Sequence, residues 1–106
     1  MRLVVQYVAV SREGAMSKKD KREAAIRNNP YNVRFTDLIG WVESEGFRLR
    51  TRGATSHQIY THADYSGKLN FQNVKGMAKG YQVEQAIEAI DEIRAIAVER
   101  AAKEKE

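Results

Sequence analysis

The chain has 106 residues, 42% of them apolar, with no cysteine and a formal charge of +4. That length supports one domain with one modest core, and the missing cysteine excludes disulfides, thiolate nucleophiles and cysteine-built zinc sites. No apolar run reaches the roughly 18–20 residues of a membrane helix. The charge is uneven, net +5 over residues 1–35, +2 over 36–80 and −3 over 81–106, so a polyanion suits everything before the last segment.

Met1 to Val10 is apolar and rich in valine, but Gln6 interrupts it and no small-residue cleavage site follows. It reads either as an extra strand or as an extension outside the natural product, because Met16-Ser17-Lys18-Lys19 would itself make an ordinary start. Lys18 to Asn28 reads as a short polar helix, ended by Asn28-Asn29-Pro30 because the residue before proline avoids the helical region. Thr36 is the expected N-cap of a second helix, with Asp37 in its first turn. Leu38, Ile39, Trp41 and Val42 form the apolar face of that helix, and Gly46 is its left-handed stop.

A strand follows in which Phe47, Leu49 and Thr51 alternate with Arg48, Arg50 and Arg52. The period of two puts three guanidiniums in a row on the face away from the core. Gly53-Ala54 reads as a turn, Ser56 to His62 as a second strand, Ala63 to Lys68 as a loop, and Lys68 to Val74 as a third strand. Lys75-Gly76-Met77-Ala78-Lys79-Gly80 is a glycine-bounded basic loop. A long helix is expected from Tyr81, with Val83, Ala86, Ile87, Ile90, Ile93 and Ala97 as its core stripe. Glu84, Glu88, Asp91 and Glu92 read as its solvated face, and Glu99 to Glu106 as a charged tail that frays. The expected fold is α+β, α-β-β-β-α, with a three-stranded antiparallel sheet packed by helices.

The Gly53 turn followed by Ser56-His57 and an apolar strand resembles the HicA toxins. So do Leu69-Asn70-Phe71-Gln72, the Lys75-Gly76-Met77-Ala78-Lys79 loop, Tyr81-Gln82-Val83 and the earlier Asn29-Pro30-Tyr31-Asn32-Val33-Arg34-Phe35. The resemblance spans about Asn29 to Ile93. Gly53 stands one residue further from the histidine than is usual in that family, Gly80 stands where proline is common, and Glu84 where a basic residue is common. The resemblance implies a double-stranded-RNA-binding-like domain over 29–98, flanked by an extension (1–28) and a tail (99–106). It also implies the toxin of a type II toxin–antitoxin system, an mRNA interferase of the cytoplasm, opposed by a HicB-like antitoxin. The family's active histidine falls on His57.

Residue chemistry is compatible with that expectation. Cleaving RNA without a metal requires a base for the 2′-hydroxyl, cations for the phosphate and a proton for the leaving oxygen. Histidine suits the first and last roles, and arginine or lysine the second. His57 is the catalytic candidate, with Arg50, Arg52, Ser56, Lys75 and Lys79 as RNA-binding candidates. No metal ligand set, cofactor or membrane partner is expected. Strict alternation places His57 with Ile59, towards the core, and leaves Ser56, Gln58, Tyr60 and His62 on the free face. A strand starting after His57, a bulge or a sheet-edge position would each change that. His62 reads as a strand-end residue on the opposite face from His57. Tyr60 and Tyr81 could stack on bases but read more simply as buried aromatics, and Trp41 reads as core. Two other functions remain open: a non-catalytic RNA-binding module on the same fold, and a partner-binding protein that lends residues 1–15 as a strand.

Overall fold

The computed structural model describes residues 16–52 and 57–105, with Thr51 and Arg52 as backbone only. The strand expected within residues 1–10, the Gly53-Ala54 turn and Ser56 lie outside the described residues.

Helix α1 spans Lys18–Asn28, with the Ser17 hydroxyl accepting from the Asp20 amide at 3.1 Å as its N-cap. Ile26 is its one buried residue, too little apolar surface to dock a helix by itself. Ion pairs supply the remaining attachment. Glu23 lies 2.8 Å from both Arg27 and Arg94. Arg27 also reaches Asp91 at 2.7 Å and lies 5.7 Å over the Trp41 ring.

Helix α2 spans Phe35–Ser44 and buries Phe35, Leu38, Trp41 and Val42. Its N-cap is Arg34, with no side-chain cap bond, and not Thr36. The start is fixed from outside the helix: Arg34 bridges Met77, and the Phe35 amide donates to the Gly76 carbonyl at 2.9 Å. Gly46, at φ +101°, ends the turn after the helix in the left-handed region.

Among the described residues four strands, not three, form one antiparallel sheet in the order β1 (Arg48–Arg52), β2 (His57–His62), β3 (Tyr65–Val74) and β4 (Met77–Ala78). The expected loop over 63–68 is only the Ala63-Asp64 turn, closed by the Asp64 amide donating to His62 Nδ1 at 3.0 Å. Tyr65 already pairs with His62. Gly67, which looks like loop composition, lies inside β3 beneath the Tyr65 ring, where a Cβ would approach ring carbon at 3.2 Å. The short β4 forms within the basic loop through the pairs Val74–Met77 and Asn73–Ala78.

Helix α3 spans Gly80–Glu104, with Lys79 as N-cap. It buries Val83, Ala86, Ala89, Ile90 and Ile93, while Ile87 is half-buried and Ala97 exposed. The expected fraying tail is helical through Glu104, and Arg100 reaches Asp64 at 2.9 Å. Asp91 and Glu84, expected as solvated acids, accept from Arg27 and from the Tyr31 hydroxyl. One core cluster joins Phe47, Tyr60, Leu69 and Phe71 from the sheet side to Trp41, Leu38, Val83 and Ile90 from the helices. The helices therefore cover one face of the sheet. Among the described residues no helix is long and apolar enough to cross a membrane.

Candidate functional site

His57 is placed by what its strand buries. Tyr60, 2% exposed, enters the core, and its ring lies 5.8 Å from Phe71. The Tyr60 hydroxyl lies 3.2 Å from Gln58 Oε1 and 3.4 Å from Glu43 Oε2, so the polar end of the buried ring is satisfied. Gln58, Tyr60 and His62 therefore occupy the helix-covered side, and His57, Ile59 and Thr61 the open side. His57 and Ile59 do share a face, as alternation requires, but it is not the core face. The expectation fails because the larger aromatic ring, facing Leu69 and Phe71 across the β2–β3 pair, takes the buried position from the smaller isoleucine.

The His57 ring is half-buried and bonded: its Nδ1 lies 3.1 Å from Asn70 Oδ1. With the Asn70 amide oxygen facing the ring, Nδ1 is the donor of this bond and Nε2 is the nitrogen turned away from it. His57 begins β2 and pairs with Gln72 near the end of β3. It therefore lies at the end of the sheet where the β3–β4 turn carries Lys75, roughly 10 Å further along the strand at the usual rise per residue. Ile59 and Thr61 continue the same face towards the opposite end, beside Arg50 and Lys68.

The arginine row of β1 is broken. A bulge between Leu49 and Thr51 interrupts the period of two, and the Arg52 backbone pairs with Gln58. Arg48 folds back, donating to the carbonyls of Phe47 at 2.9 Å and Glu43 at 3.3 Å. Arg50 lines a cleft on the open face. The side chains of Arg52 and Ser56 lie outside the described residues. Lys75 is exposed at φ +53°, followed by Gly76 at φ +88°, the paired positive φ values of a tight hairpin turn. The Gly76 amide donates to Asn73 Oδ1 at 2.6 Å and holds that turn. Lys79, half-buried, is the cap of α3. Arg50 and His57 thus lie on or beside the open face of the sheet, Lys75 sits in the turn at the His57 end, and Lys79 follows the short last strand.

His62 serves the fold. Its Nε2 lies 3.2 Å from the Glu45 carbonyl, and its ring lies 5.0 Å from that of Phe47, above Gly46. Trp41 is fully buried as expected, whereas Tyr81 is 53% exposed. Two features escaped the sequence reading. Gln82 is buried, and its Oε1 accepts from the Gln72 amide at 2.9 Å, tying the start of α3 to the residue opposite His57. The four strands also contain no Asp or Glu, only Arg48, Arg50, Arg52 and Lys68 as fully charged residues. That second signal was present in the sequence but emerges only once the strand boundaries are known.

The best-buried carboxylates are occupied on the helix side. The Arg94 guanidinium bonds Glu23 and Glu45 at 2.7–2.8 Å. Its hydrogen bond to Glu23, with help from Arg27, holds the Glu23 carboxyl at about 2, well below the ordinary glutamate value of 4.5. Asp64 is lowered likewise by Arg100. Comparison with protein-family models, curated proteins and solved structures gives no match.

Proposed function

We propose that the chain is a metal-independent endoribonuclease, the toxin of a type II toxin–antitoxin pair, with His57 as its proton-transfer residue. The observation that supports this best is the position of His57, on a sheet face whose strands carry no carboxylate, with its Nδ1 at 3.1 Å from Asn70 Oδ1 and Nε2 turned away from that bond. In this reading Nε2 takes the proton of a ribose 2′-hydroxyl, the 2′-oxygen attacks the adjacent phosphorus, and the bond to the 5′-oxygen breaks. The imidazolium or water protonates the departing oxygen. Arg50, Lys75 and Lys79 hold the phosphodiester and its developing charge. A HicB-like antitoxin would cover the same face, and the reaction would take place in the cytoplasm.

Proton transfer of this kind contributes about 10²–10⁴-fold to a rate. His57→Ala should therefore lower RNA cleavage by at least about a hundredfold and relieve growth arrest on expression, with an unchanged circular-dichroism spectrum. A folded alanine variant that cleaves at the wild-type rate would remove His57 from the mechanism. The cationic face also fits a non-catalytic RNA-binding module, since Arg50 and Lys75 do not depend on His57. Harmless expression together with salt-dependent RNA binding would favour that reading.

A further inference from the structure

Beyond His57, the open sheet face carries a cleft of about 330 Å³ lined by Arg50, Ile59, Thr61 and Lys68. Its floor is Ile59, half-buried and the next residue after His57 on the same face of β2. Ile59 pairs with Asn70, the residue bonded to the His57 ring, so floor and imidazole share one cross-strand neighbour. The walls bear two cations on different strands, Arg50 at the β1 bulge and Lys68 in β3, both exposed. Among the described residues no carboxylate lines the cleft, and none occurs in the four strands.

An apolar floor between two cations that no described carboxylate pairs suits a flat apolar ring with an anion on each side, the form of one nucleotide in a single strand. We infer that this cleft is a nucleotide subsite beside His57, with the base seated on Ile59 and the flanking phosphates held by Arg50 and Lys68. The inference rests on RNA being the substrate. It adds that the strand enters single-stranded, because a base inside a duplex has both faces covered by its stacked neighbours and none to offer Ile59. Thr61 also lines the cleft and brings a hydroxyl, which can donate to or accept from the edge of a base.

Binding tests this separately from cleavage. His57→Ala protein prevents turnover, and a labelled ten-nucleotide RNA of mixed sequence is titrated against it by fluorescence anisotropy, alone and annealed to its complement. Adding Lys68→Ala should weaken binding of the single strand about tenfold and reduce the salt slope by about one. Adding Ile59→Ser should weaken the single strand about threefold or more and leave the duplex unchanged. Lys68 is exposed and Ile59 half-buried, and thermal melts confirm that each variant is folded. Equal affinity of all three proteins for the single strand overturns the subsite, as does tighter binding of the duplex than of the single strand. A poly-glutamate peptide that outcompetes the RNA also overturns it, in favour of an acidic protein partner. Loss of affinity in the variants, with no RNA cleavage by the wild type, upholds the subsite and overturns the nuclease.

Discussion

Gly46 shows how a single residue serves two constraints. It adopts φ +101°, and a Cβ there would lie 2.8 Å from His62 Nε2. Gly46→Ala therefore combines a strained backbone with a collision against the ring that closes the turn after α2. A loss of about 1–3 kcal/mol is expected, read from the urea midpoint; an unchanged midpoint would show that the His62 ring moves aside freely. The same ring explains why the second histidine gave a weak signal in the sequence. His62 is spoken for by Glu45, Asp64 and Phe47, whereas His57 has one side-chain partner among the described residues, Asn70.

At the level of elements, the helices were the most legible part of the chain. The apolar spacing of α2 and the stripe from Val83 to Ile93 are strong period signals, because each helix buries one face. The sheet was harder to read. Ser66 and Gly67 resemble loop composition, yet they lie in β3 because Tyr65 covers the glycine. A two-residue strand such as β4 has no periodicity to detect. The side of β2 that faces inward depended on Tyr60 against Ile59, a packing choice made by Phe71 and Leu69 in another strand. The candidate histidine was thus legible as a residue, while its direction was decided by tertiary contacts. Gln82 was hidden for a related reason: its amide meets a β3 backbone N–H, a partner that no local pattern indicates. Gln82→Leu keeps most of the volume but leaves the Gln72 amide unpaired, so it should cost about 1–3 kcal/mol. Chemical denaturation measures this, and a leucine variant as stable as wild type would reduce the clasp to packing.

Across the whole molecule, α1 is joined to α2 and α3 by charge more than by oil. Glu23 accepts from Arg27, Arg94 and the Trp41 indole, and thus touches both partner helices. Its carboxyl titrates at about 2 when folded, against an ordinary value of 4.5. A lowered folded-state value stabilises the protein above the unfolded value, and that contribution disappears as pH falls from about 4.5 towards 2. The wild type should therefore lose stability to urea across that window. Glu23→Gln should be weaker at neutral pH and show a flatter acid dependence. Parallel acid profiles for the two proteins would locate the acid-sensitive group elsewhere.

The turn at Lys75 sets durability against purpose. A lysine at φ +53° holds a conformation that costs about 1 kcal/mol relative to glycine, in a turn where glycine would fit more easily. Lys75→Gly should therefore raise the melting temperature while weakening RNA binding. Such opposed signs from one substitution would mark a position kept for its charge, at which the more stable protein is the poorer one.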